Sequence, residues 1–226
     1  MADTKISNGA PAANEHSKNE AFVLKYKNLI IGAVVVLVLA VCGGFIWHSV
    51  SKKNFEADST EMSKAQEFLG NALVSGDSLM FQKALNGDGV DAGFLAFTDK
   101  GGKVGNLANL CAGLCYARMG NMEEAVKYLE NFDDAGDAMV SPAALAALAD
   151  VKANLNQLDE AVALFVKAAD RADNNALSPQ YLIKAGEILE SQGKKEEALK
   201  LYEQIKAKYV SSAEYGMIDA YIERVK

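Results

Sequence analysis

Hydrophobic and polar positions are arranged along this chain in two distinct ways. Between Leu29 and Val50 there is no alternation: the run LIIGAVVVLVLAVCGGFIWHSV contains no Asp, Glu, Lys or Arg. At a rise of 1.5 Å per residue it forms a rod of about 33 Å, enough to cross a hydrocarbon core of about 30 Å. It lacks the polar stripe that a helix on a soluble core retains. It is also unlike a cleavable signal, because a long polar lead precedes it and it runs on through Phe45, Ile46 and Trp47. Residues 29–50 are therefore predicted to be a single transmembrane helix, with Tyr26 and Trp47 at headgroup level. Within it, Leu39 to Gly43 is similar to a lipidation signal. Val41 stands where that signal places a small residue, so Cys42 is expected to remain an unmodified side chain in lipid.

Beyond Val50 the apolar residues recur with helical spacing. Glu56 to Val74 reads as a helix continuing from the membrane as a stalk, and Leu79 to Leu85 as a short helix after the Ser75-Gly76-Asp77 turn. Asn86 to Gly105 is punctuated by glycine and reads as a loop, pinned by the apolar stretch Phe94 to Phe97. Helices are then expected over about 106–119, 122–132, 141–155, 158–171, 178–191, 195–208 and 211–225. Ser141-Pro142 and Ser178-Pro179 each read as a cap followed by proline at the first helical position. Gly120-Asn121 and Gly193-Lys194 read as turns inside hairpins.

These helices repeat. Ala112-Gly113…Tyr116…Ala125 is followed by Leu148-Ala149…Ala161 and then by Ala185-Gly186…Ala198, at spacings of 36 and 37 residues. Such a period is the signature of stacked helical hairpins. Gly113, Ala149 and Gly186 let one helix approach its partner, and Ala125, Ala161 and Ala198 receive it; larger side chains would cost roughly 1–3 kcal/mol each. A hairpin cannot cover its own apolar face, so neighbours stack on it and the ends need caps. Residues 51–105 are expected to cap the front and residues 211–226 the back.

The repeating residues resemble the tetratricopeptide repeat. The segments GNMEEAVKYLENF, NQLDEAVALFVKA and GKKEEALKLYEQI occupy the same place in each copy. The copies depart from the family pattern in lacking its opening tryptophan and closing proline, and in carrying Lys152 where tyrosine is usual. The resemblance implies an all-α fold: one N-terminal transmembrane helix, then a right-handed α-solenoid of three repeats at about 106–139, 142–175 and 179–210. It also implies a partner-binding concave face lined by first-helix positions. In the first copy these are Leu107, Leu110, Leu114 and Arg118; in the second, Asp150 and Asn154; in the third, Ile183 and Glu187. Leu107 and Leu110 can equally pack beneath the 86–105 loop.

Charge and chemistry narrow the function. The formal net charge is −7, with the acidic excess after the apolar run, a poor match to nucleic acid or anionic lipid. The only histidines are His16 and His48, both outside the repeats, so no Ser-His or Cys-His pair can be built there. Cys111 and Cys115 sit one helical turn apart, too far for an easy disulfide and without further ligands for zinc; they read as small buried fillers. Asp133, Asp134 and Asp137 read as a solvated run, and Asn86 to Phe97 departs from a calcium loop at three positions. No enzyme activity, cofactor, metal or small-molecule substrate is expected.

Lys18, Lys25 and Lys27 precede the apolar run and Lys52 and Lys53 follow it. That bias predicts a disordered cytoplasmic tail over 1–28 and a periplasmic repeat domain. This layout, with the entry segment GGKVGNLANLCAGLCYARMGNMEEAVKYL, resembles the YfgM-like ancillary subunits of the bacterial Sec translocon. The resemblance implies an inner-membrane adaptor contacting translocon subunits or periplasmic chaperones. The alternative is a self-associating structural scaffold of the envelope.

Overall fold

The computed structural model describes residues 56–226. The expected tail, transmembrane helix and orienting lysines, with Cys42 and both histidines, lie outside the described residues. Among the described residues, no helix is long and apolar enough to cross a membrane.

Helix α1 covers 56–75 and buries Met62, Ala65, Leu69 and Ala72 on one face. Its opposite face is polar, with Glu61, Lys64 and Glu67 exposed. Asp77 then caps α2 (Ser78–Asn86), its carboxylate accepting from the Leu79 amide at 2.9 Å. A single bridge joins Gly87 to Ala92, and a 3₁₀ turn over Phe94–Ala96 inserts Phe94 and Phe97 beneath it. α1, α2 and this turn enclose one core with α3 (Gly102–Arg118). α3 begins earlier than the glycines suggest. Gly105 lies within α3 because its backbone packs on residue 100; a Cβ there would stand 1.7 Å from the Lys100 carbonyl oxygen. This glycine permits a close approach rather than a loop.

Three helical hairpins follow: α3 with α4 (Met122–Glu130), α5 (Val140–Asn154) with α6 (Leu158–Ala172), and α7 (Ser178–Ser191) with α8 (Lys195–Lys208). Each helix packs chiefly on its neighbours along the chain, which makes the described region an all-α solenoid. Gly113 faces Leu129, and Gly186 faces the ring of Tyr202. Ala112, Ala125, Ala149, Ala161, Ala185 and Ala198 have no exposed surface. Tyr116 stacks on Tyr128 with centroids 5.3 Å apart, closing the first hairpin.

The helix starts differ from the serine-cap expectation. Ser141 and Ser178 are already helical and fully enclosed, and the residue four positions earlier does the capping. Asp137 accepts from the amides of Met139 and Val140 through one oxygen, and from the Ser141 hydroxyl at 2.8 Å through the other. Asn174 accepts from Ala176 and Leu177, both at 2.9 Å, while its own amide donates to the Ser178 hydroxyl. Asp137 and Asn174 are also 37 residues apart.

The expected helix over 211–225 is instead a 3₁₀ turn, Ala213–Met217, and a short α9, Ile218–Val225. α9 buries Ile218, Ile222 and Val225 and turns Asp219, Glu223 and Arg224 outward. α9 therefore presents a polar outer face, whereas α1 also leaves Leu73 and Val74 exposed near its end.

Candidate functional site

The first helices of the three hairpins, α3, α5 and α7, keep a stripe of side chains open to solvent. Aligned on Gly113, Ala149 and Gly186, it contains Leu107, Leu114 and Arg118, then Ala143, Asp150 and Asn154, then Gln180, Glu187 and Ser191. Leu107 and Leu114 are half-buried and the others, apart from the small alanine, are exposed polar groups. Leu110 and Ile183 are not on this stripe. Their column is buried in every copy, with Leu110 at 7 %, Ala146 at 5 % and Ile183 at 8 % exposure. Leu110 packs with Leu148 and Val151 of the next hairpin and serves the core, and Leu107 and Leu114 border the same cluster from its half-buried edge.

Lys184 belongs to the stripe and was not foreseen. Its ammonium binds both oxygens of Asp150, at 2.7 and 2.8 Å, and lies 5.2 Å from the centroid of Phe165. An open groove of about 360 Å³ lies here, bordered by Asp150, Lys184, Glu187 and Ile188. The signal available was the 34-residue interval from Asp150 to Lys184, close to one repeat.

That interval recurs throughout. Arg171 forks onto Asp134 at 2.6 and 2.8 Å, 37 residues away. Lys194 reaches Asp159 over 35 residues, and Arg224 forks onto Glu190 over 34. These polar bonds between hairpins are thus rungs joining near-equivalent positions of successive repeats. Asp134 and Asp137, read as a solvated run, are structural. The Arg171 guanidinium holds Asp134 well below the usual carboxylate range. Amide donors at the start of α5, with the Ser141 hydroxyl, hold Asp137 at about 2.

Lys152 takes the column occupied by Tyr116 and Leu189. Its ammonium bridges Glu130 of α4 at 3.2 Å and Glu160 of α6 at 3.1 Å, which keeps it charged although its side chain is only 11 % exposed. The lysine stem fills the space of the usual ring while its head ties two second helices together. Cys111 and Cys115 are buried, and burial pushes both thiols up to about 12. They are protonated fillers with little nucleophilic character. Among the described residues, no group of three or more His, Cys, Asp or Glu side chains could hold a metal ion.

The chain matches the tetratricopeptide repeat-like domain family over residues 20–225. It belongs to that family. No curated protein matches this tetratricopeptide repeat-like chain. Among solved structures it is similar to the nearly identical TPR-like repeats of a Podosopora anserina protein assigned as a kinesin light chain. That similarity has a TM-score of 0.54 at 16 % identity, covering 74 % of this chain and 84 % of that one. A single-substitution variant of the same protein gives a TM-score of 0.53 at the same identity and coverage. At this identity the likeness concerns the fold alone. The family's architecture, adjacent hairpins offering one continuous face, is that of a protein–protein interaction module.

Proposed function

We propose that this tetratricopeptide repeat-like protein is a non-catalytic adaptor, anchored in a bacterial inner membrane by residues 29–50, with its repeats in the periplasm. The observation carrying the interaction role is the solvent-open stripe on α3, α5 and α7. It runs from the apolar Leu107 and Leu114 to the charged Asp150, Lys184 and Glu187. The anchor rests on the uncharged run of 29–50, long enough to cross a bilayer. The resemblance in layout to YfgM-like subunits points to the Sec translocon or periplasmic chaperones as the place of work. The stripe would take a partner segment with apolar groups at the α3 end and a basic group near Glu187. The acidic chaperone tails that other repeat proteins clamp would be repelled there.

The scaffold alternative is less well supported. Growth by end-to-end stacking needs an apolar terminal face, and the outward face of α9 is polar.

The test is photocrosslinking in native membranes from single reactive residues placed at Leu114, Asn154 and Glu187. Adducts to one or a few partner proteins at all three positions support the adaptor. Adducts only to further copies of this chain would replace it with the scaffold, and the absence of any adduct would overturn the stripe as the binding face.

A further inference from the structure

A second feature adjoins the α3 end of the stripe, sharing Leu107 with it, where the start of α3 meets the loop between α4 and α5. A cleft of about 500 Å³ opens there, with Leu107, Phe132 and Val140 as its apolar floor and Lys103, Asp133 and Asp137 at its rim. Behind Phe132 lies a smaller cavity of about 130 Å³, walled by Leu129, Ala144, Leu145 and Leu148. Phe132 and Asp134 line both spaces, so the half-buried ring is the partition between them. Val140 is 43 % exposed, so the apolar floor reaches the surface.

The rim charges are not equivalent. Asp134 is matched by the Arg171 guanidinium, and the Asp137 carboxylate is taken up by the first amides of α5. The Asp133 backbone is pinned by Asn106, which donates to its carbonyl at 2.7 Å and accepts from its amide at 2.6 Å. Its carboxylate has no hydrogen-bond or ion-pair partner among the described residues. The loop is thus fixed while one carboxylate beside an apolar floor is left unneutralised. Lys103 also lines the cleft and is not bonded to that carboxylate.

We propose that this cleft docks a segment of a partner protein presenting one apolar side chain, seated on Leu107, Phe132 and Val140, followed by a basic side chain that pairs with Asp133. The proposal rests on the interaction-module reading but uses a surface that shares only Leu107 with the stripe. A second copy of this chain fits less well, because it carries a net charge of −7 and like charges repel.

The test uses the full-length chain in phosphatidylcholine nanodiscs and the fluorescein-labelled peptide Gly-Ser-Leu-Lys-Arg-Ser-Gly amide, followed by anisotropy. The peptide is expected to bind. Replacing its Leu by Ser, or its Lys-Arg by Glu-Glu, should weaken binding roughly tenfold. Asp133→Lys and Val140→Asp each change an exposed side chain and should weaken it similarly with the helical circular dichroism intact. Glu187→Lys, on the stripe, should leave it unchanged. Equal binding of the acidic peptide, unaltered affinity in both cleft variants, or no binding at all would overturn the proposal. Loss confined to Glu187→Lys would also overturn it while leaving the adaptor reading standing. Dimerisation abolished by Asp133→Lys would replace the partner segment with a second copy.

Discussion

Replacing Gly186 with alanine sets two opposing effects against each other. Alanine gains about 1 kcal/mol over glycine in a helix interior. The new Cβ, however, would stand 2.4, 2.5 and 2.7 Å from Cε1, Cζ and the hydroxyl oxygen of Tyr202. The ring cannot yield easily. It has no exposed surface, its hydroxyl donates to Glu190, Arg224 fixes that carboxylate, and Tyr221 packs on it with centroids 5.2 Å apart. α7 and α8 must separate by about 1 Å, an overpacking cost of roughly 1–3 kcal/mol. The net is a destabilisation of about 1 kcal/mol, and melting of the full chain should fall by about 2–4 °C. Gly70 is the control. It lies in α1 with no heavy atom within 4 Å of the position a Cβ would take. Gly70→Ala keeps the whole helix gain and should raise the midpoint by about 2–4 °C. Thermal circular dichroism of both variants reads the difference directly. If Gly186→Ala stabilises as much as Gly70→Ala, the tight α7–α8 approach is not what glycine serves there.

Other expectations follow from the polar groups. Lys152→Met keeps the stem and releases two half-exposed carboxylates to water, so urea unfolding should shift by less than about 1 kcal/mol, whereas Lys152→Glu gathers three acids and should cost about 2 kcal/mol or more. Asp134 and Asp137 are held below the ordinary carboxylate value in the folded state. Their stabilisation is therefore complete above about pH 4 and lost as pH falls toward about 2, and Asp137→Ala should flatten the decline in melting temperature across that window. Cys111 and Cys115, with thiols near 12, should resist Ellman's reagent at pH 8 and react only after denaturation; prompt labelling of either would contradict the burial.

The hairpins were legible because close helix approach demands small residues, and Gly113, Ala149 and Gly186 recur where nothing larger fits. Glycine misled where it served packing. Gly105 read as loop although its role is contact with residue 100. The Ser-Pro pairs marked the helix starts, but the capping fell to Asp137 and Asn174, since a side chain four residues upstream can serve two amides while that residue also bonds the serine hydroxyl, through the carboxylate of Asp137 and the backbone amide of Asn174. The stripe was half legible. Periodicity finds the outward side of a helix but not how far a neighbouring hairpin covers it, and that covering is what buries Leu110 and Ile183. The cleft at Phe132 was invisible, because it depends on how a loop fixed by Asn106 folds over α3.

The rungs of ion pairs have a mechanical consequence. Arg224 reaches Glu190, Lys194 reaches Asp159, and Arg171 reaches Asp134, each extending to the preceding hairpin and no further. Tension applied at Lys226 would load the Arg224–Glu190 fork before any other rung, and a chain built this way should peel from its free tip in steps, leaving the hairpins nearer its start intact while the outermost one lets go.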